Sequence, residues 1–393
     1  MTPILPLSGV KIIELSNMVT ASLAAMTLAG QGADVIKVEP LGIGDKLRHF
    51  GSQKAGISGV FNNCNRGKKS LAINLKNQKG VEAVRRLILE ADILIHNYRP
   101  GVMTKLGLNS AKLRETNPKL IVCSLTGFGR EGPLKNAPAF DHVIQALSGI
   151  TGAQGKNEAF EFINMLVCDK ITAYTAAQAV TAALVVQART GQGQHIDISM
   201  LAASLAFMWP DGMMHKTLLA EDALHLAPMK DYYQTFKTKD GFIAAAPFGD
   251  EARQSVFKIV NRPDLAQDPR FESLQSRGKH ILDLLDEFAD MEIAQTCEEL
   301  LAALQAADVP CAPCLSADEL TENDQIKAIG ATEIQDHPHL GPVHMPTNPV
   351  HFMGQRPAAL GPSPLLGEHS EQILSACGYN ADELSQMRHD NII

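Results

Sequence analysis

Short apolar runs alternate with helix-spaced apolar positions through the first half of the chain. Val10-Lys11-Ile12-Ile13-Glu14-Leu15 reads as a buried strand, Leu23 to Gly32 as a helix ending on glycine, and Asp34-Val35-Ile36-Lys37-Val38-Glu39 as a second strand. From Gln78 to Ala91, the residues Val81, Val84, Leu87 and Ile88 fall on one helical face. Asp92-Ile93-Leu94-Ile95 and Leu120-Ile121-Val122-Cys123 are β-branched runs bounded by turn residues, and an alanine-rich helix is predicted from Ile171 to Gln187. This alternation predicts an α/β fold with a mostly parallel sheet and helices on both faces. Ligands then sit at the carboxyl ends of the strands.

The pattern changes past the middle. Phe236 to Pro247 reads as a hairpin turning at Asp240-Gly241, and helical spacing follows at about 251–260, 279–290 and 294–306. These elements suggest a smaller α+β domain over 220–330, with 1–205 and 335–393 forming the large domain. The Pro- and His-rich stretch 336–365 lacks periodicity and reads as an extended connection, and Gly367 to Met387 as a helix.

At 393 residues the chain exceeds one simple core, which agrees with that division. No uninterrupted apolar run approaches the ~20 residues that span a bilayer, and the first residues lack a basic segment followed by an apolar one. A net charge of −8 argues against non-specific nucleic-acid binding. Seven scattered cysteines fit a reducing compartment, so a cytoplasmic protein is expected.

Several motifs carry less than they promise. Gly127-Phe128-Gly129-Arg130-Glu131-Gly132 matches the dinucleotide fingerprint, but Pro133 and Pro138 leave no helix to receive a pyrophosphate. Cys311-Ala312-Pro313-Cys314 lacks the second pair that a structural zinc site wants. His337, His339 and His344 are interrupted by prolines and glycine, so a solvated loop and no metal site are expected. Asp169, before the alanine-rich helix, is different. A carboxylate at a helix N-terminus is kept ionised by free N–H groups, and it can be a cap or a nucleophile.

Ordered segments around Asp169 favour the second role. They comprise Gly32-Ala33-Asp34-Val35-Ile36-Lys37-Val38-Glu39-Pro40, Asn65-Arg66-Gly67-Lys68-Lys69-Ser70 and Asn97-Tyr98-Arg99-Pro100-Gly101. Ala139-Phe140-Asp141 with Gln145, the run Arg189-Thr190-Gly191-Gln192-Gly193-Gln194-His195-Ile196-Asp197-Ile198-Ser199, and Pro364-Leu365-Leu366-Gly367-Glu368-His369 complete the order. This order resembles the class III CoA-transferases of the CaiB/BaiF type, across nearly the whole chain and least from about 205 to 330.

The resemblance implies that Asp169 attacks an acyl-CoA thioester, passes through a mixed anhydride and an aspartyl-CoA thioester, and hands CoA to an acceptor carboxylic acid. It places coenzyme A against Asn17, Met18, Ile73, Lys76, Asn97, Tyr98, Arg99 and Lys105. CoA is a substrate here, and no covalently bound cofactor or metal is implied. It further implies a Rossmann-like large domain and an interlocked homodimer whose chain returns from the small domain to the large one. Departures from the family pattern stand at Ala21-Ser22, Pro40 and Pro138, and no glycine-rich lid is evident between Leu218 and Tyr232. The alternative is a 2-methylacyl-CoA racemase of the same fold, but Phe140 occupies the place of its histidine base and cannot move a proton. His142, two residues on, is expected to point elsewhere.

Overall fold

Six parallel strands form the central sheet of the computed structural model, which describes residues 5–155, 159–225, 227–233, 235–247, 249–289, 291 and 293–393. They are β1 (Lys11–Leu15), β2 (Asp34–Glu39), β3 (Lys68–Ala72), β4 (Ile93–His96), β5 (Ile121–Thr126) and β6 (His195–Ser199). Their spatial order, β3-β2-β1-β4-β5-β6, reverses between β1 and β4. That is the Rossmann order, and the crevice outside β1 and β4 is where such sheets hold ligands.

Both faces of the sheet are covered. On one face Ile12, Val35, Ile93, Ile121 and Cys123 pack against α1 (Val19–Ala29) and the long helix that begins at Val167. On the other, Ile13, Leu94 and Val122 pack against α2 (Gln78–Leu89) and the C-terminal helices. The predicted first helix starts four residues early, at Val19, and is capped by Gly30. It does so because Asp45, from outside the helix, holds the backbone at its N-terminus.

Three further helices position the site: α3 (Val102–Lys105), α4 (Asp141–Ser148) and α5 (Val167–Thr190). No helix starts between Gly127 and Pro138, so the fingerprint-like glycines have no pyrophosphate site. By length and composition α5 is apolar enough to cross a membrane. Ala173, Ala176, Ala177, Val180 and Ala183 pack that helix against Ala21, Ala24, Ala25 and Leu28 of α1.

The chain divides into two compact units. The first holds 1–148, 163–207 and 328–393, and the second 149–162 and 208–327. Within the second unit β7 (Thr235–Lys237) and β8 (Phe242–Ala245) form the hairpin, with Thr238 N–H donating to Gly241 O across the turn. Ile243, Val256, Leu300 and Leu304 make one core with α6 (Asp250–Ile259) and α8 (Cys297–Ala306), and Ile281, Leu284 and Phe288 of α7 (Ile281–Ala289) make a second with Phe257, Leu265 and Phe271. Strand β9 (Cys311–Pro313) extends that sheet.

Three expectations need correction. The stretch 336–365 is not wholly irregular, because β10 (Thr332–His337) and β11 (Gly341–Pro346) form an antiparallel pair. A two-stranded ribbon turns alternate N–H groups outward, so Pro342 and Pro346 cost it little. His337 is buried rather than solvated: its Nε2 meets Ser363 O at 3.0 Å, and Nδ1 accepts from His339 N–H and Leu340 N–H. The C-terminal helix is two, α9 (Ser370–Ala376) and α10 (Ala381–His389), broken where Gly378 takes φ +91°.

Candidate active site

The loops after β1 and β4 meet at the point where the strand order reverses. Asn17 N–H donates to Asn97 Oδ1 at 3.1 Å, and Asn97 Nδ2 returns a bond to Asn17 O at 2.6 Å. The next residue, Met18, holds φ +67° and ψ −155°, a region that only glycine adopts without strain. Its N–H is fixed by Asp45 Oδ1 at 2.9 Å. This strained residue delivers the chain into α1.

Asp45 is in turn anchored by charges inside the sheet. Lys37 Nζ lies 2.8 Å from Asp45 Oδ2 and 2.6 Å from Glu14 Oε1, and Lys68 Nζ lies 2.7 Å from Glu14 Oε2. All four side chains are buried. Burial pushes Glu14 up, but Lys37 and Lys68 outweigh it and hold the carboxyl down at about 2. Burial pushes Lys37 down, yet the carboxylates of Asp45, Glu14 and Glu39 together raise it. Lys68 has one carboxylate against burial and the nearby Lys37, and falls to about 8. The β1–β2 register, which places Glu14 opposite Lys37, makes this network possible.

Asp169 is the third residue of α5 and does not cap it. The capping task falls to Asp141, the first residue of α4, whose Oδ2 accepts the Asp169 N–H at 2.9 Å. Gln145, one turn along α4, bonds Asp141 Oδ1 at 2.6 Å and clamps the segment entering α5 through Ile163 N–H, Ile163 O and Met165 O. The Asp169 carboxylate faces another helix end. Oδ1 accepts the hydroxyl of Thr20, the second residue of α1. The helix-end principle therefore holds with a different helix from the one the sequence suggests.

Asp169 is 9 % exposed. Burial pushes its carboxyl up to about 6; the Thr20 hydrogen bond opposes this and the charge of Asp141 adds to it. At neutral pH the group is still mostly ionised, and its solvation is poor enough to leave it reactive.

A cavity of about 640 Å³ opens over this carboxylate. Asn17, Met18, Asn97, Tyr98 and Arg99 line it with Asp169. The structure does not bring the other candidates there: Ile73 is buried in the core, Lys76 is exposed, and Lys105 is exposed at the end of α3. His142 does line the cavity, contrary to expectation, and stacks at 6.4 Å on Phe140, which lines it too. Among the described residues no group of His, Cys, Asp or Glu could hold a metal ion. Sequence reasoning gives no role to Thr20, Asp141 or Gln145. The Asp141/Gln145 spacing of four at a helix start is the available signal for two of them.

The family model for CoA-transferase family III matches residues 7–370. Succinate–glutarate CoA-transferase of Agrobacterium fabrum is 31 % identical over 385 residues, spanning 94 % of this chain and 95 % of that protein. Succinyl-CoA:glutarate CoA-transferase of Homo sapiens is 30 % identical over 387 residues, spanning 95 % of this chain and 86 % of that protein. Among solved structures, a CAIB/BAIF family protein from Brucella suis superposes with a TM-score of 0.82 at 30 % identity, covering 95 % of this chain and all of that one. The relatives carry transferase names, which does not favour the racemase alternative. The matched span and the likeness to these enzymes along their whole length place this chain in CoA-transferase family III, as an enzyme of that class.

Proposed function

We propose that the chain moves CoA from an acyl-CoA to a carboxylic acid through covalent intermediates on Asp169. The observation that supports this reading is the enclosed carboxylate, held at Oδ1 by Thr20, at the wall of a cavity of about 640 Å³. Oδ2 attacks the thioester carbonyl and the CoA thiolate leaves, giving a mixed anhydride. The thiolate attacks Asp169 Cγ, releases the donor acid and forms an aspartyl-CoA thioester. An acceptor carboxylate then repeats the two steps in reverse. Each bond broken is replaced by one of similar energy, so the thioester is conserved if water is kept out.

Asn17, Met18, Asn97, Tyr98 and Arg99 hold the CoA chain in this reading, with Arg99 the cation for its phosphates. Ile73, Lys76 and Lys105, outside the cavity lining, could meet only the far ADP end. Short dicarboxylic acids are the acids to test first, by likeness to the relatives named above. The interlocked homodimer belongs to the same reading, and the exposed Tyr174, Val185 and Val186 on α5 agree with a covered face.

The test is a screen of acyl-CoA donors and acids with hydroxylamine trapping and mass mapping. Asp169→Ala is expected to abolish transfer while CoA affinity stays near wild type. Near-normal transfer by that variant would sink the nucleophile assignment.

A further inference from the structure

Thr20 forms and breaks no bond in this reaction, yet it is the residue hydrogen-bonded to the reacting carboxylate. It is 4 % exposed, its hydroxyl donates to Asp169 Oδ1, and its backbone N–H faces the same carboxylate. The hydrogen bond that fixes one carboxylate oxygen is on Oδ1, so the attack is assigned to Oδ2. Once the anhydride forms there, Oδ1 becomes the carbonyl oxygen of the Asp169 half.

A mixed anhydride offers the returning thiolate two carbons. Attack at the acyl carbon expels the Asp169 carboxylate and regenerates the starting acyl-CoA. Attack at Cγ breaks the Cγ–Oδ2 bond, lets the donor carboxylate leave with Oδ2, and puts CoA on the enzyme. Only the second route is productive. In it the carbonyl electron pair moves onto Oδ1, where the Thr20 hydroxyl already points. Hydrogen bonds to an oxyanion are roughly twice as strong as those to a neutral carbonyl, so they favour the attack that charges Oδ1.

We propose that Thr20 is a catalytic residue: its hydroxyl stabilises the oxyanion that forms on Oδ1 of Asp169 itself and directs the thiolate to Cγ. The proposal rests on the aspartyl-intermediate reading. The same hydroxyl serves again when the acceptor carboxylate attacks Cγ of the thioester and expels the thiolate. In the first step, by contrast, the hydroxyl only steadies the ground-state carboxylate, so its loss should not slow the release of thiol.

The test uses the full chain with succinyl-CoA as the starting donor, or the donor that the screen identifies. Rapid quench followed by peptide mass mapping follows CoA on Asp169, and a thiol reagent that traps the thiolate follows the first step. Thr20→Val should lower adduct formation and kcat by ~10²–10³-fold, the usual loss for one oxyanion-hole donor, with thiol release within roughly threefold. Thr20→Ser, which keeps the hydroxyl, should recover most of the adduct rate. Thr20→Ala serves as a second deletion if the valine packs poorly. Adduct formation near the wild-type rate in the deletion variants would overturn the proposal, and so would a parallel loss of thiol release and adduct. Transfer by the wild-type enzyme with no CoA on Asp169 would overturn the parent reading instead.

Discussion

Asp141 accepts the backbone N–H of Asp169 at 2.9 Å, so one carboxylate closes the helix on which the other is displayed. The two roles that compete for an acid at a helix start are thereby divided between two residues. Asp141 supplies the cap, and the Asp169 side chain is left for the cavity. The arrangement has an electrostatic cost, because the charge of Asp141 helps to push the Asp169 carboxyl up.

Asp141→Asn keeps an acceptor for the N–H and removes the charge. The acid limb of kcat/KM is expected to move to lower pH, since one cause of the raised Asp169 carboxyl is gone. Asp141→Ala removes the acceptor as well and should cost about 1–2 kcal/mol in urea unfolding, as the loss of a cap does. An unmoved pH profile in Asp141→Asn would show that the two carboxylates do not sense each other.

Asp169 itself sets a pH dependence of stability. Its carboxyl stands at about 6 in the folded protein against an ordinary 3.8, so the folded state holds this proton more tightly than the unfolded chain. The contribution is fully present below pH 3.8 and is lost as pH rises through about 6. Asp169→Asn should therefore be more stable than wild type at pH 8. The gain is up to about 2–3 kcal/mol, because a tenfold difference in proton affinity between the two states is worth about 1.4 kcal/mol. It should shrink toward pH 4. Urea midpoints at the two pH values check this, and an equal difference at both would contradict it. Activity should follow the same ionisation, with an acid limb near pH 6 rather than near 4.

The strands are legible because both sheet faces are buried, which leaves apolar runs such as Ile93-Leu94-Ile95 without polar interruption. Glu14 and Lys37 can be recognised as strand residues, but their pairing depends on register, which a single strand does not carry. The start of α1 is hidden because Met18-Val19-Thr20 has no cap residue and its N-terminus is held by Asp45 and faces Asp169. The partners of Asp169 lie 28 and 149 positions away, beyond any local pattern. Ile73 and Lys76 match a segment, and a segment match says nothing about which side chains face a cavity.

The buried ion network predicts unequal costs for two nearby lysines. Lys37→Met leaves Asp45 without its cation and Glu14 with only one, all inside the protein. Breaking such a pair costs ~3–5 kcal/mol. Lys69→Met breaks a half-exposed pair with Asp34 and should cost under about 1 kcal/mol. Because Asp45 also holds Met18 N–H, Lys37→Met should raise KM for the donor thioester, which Lys69→Met should not. Urea unfolding and initial rates on both variants check the contrast.

Met18 sits in a conformation open only to glycine, which costs a side-chain-bearing residue about 1–3 kcal/mol. Its side chain also packs at the edge of the core, so the informative comparison is between two truncations. Met18→Ala and Met18→Gly lose nearly the same packing, and glycine has the larger unfolded-state entropy, which ordinarily makes it the less stable. Here the order should reverse, with Met18→Gly the more stable by ~1–2 kcal/mol once relief of strain exceeds the entropy difference. Thermal unfolding of the pair decides it, and the ordinary order would mean that the backbone at Met18 is relaxed. Should the order reverse, activity supplies the functional half of the argument. The strained residue fixes where α1 begins and so where Thr20 meets Asp169, and the more stable glycine variant is expected to have the lower kcat.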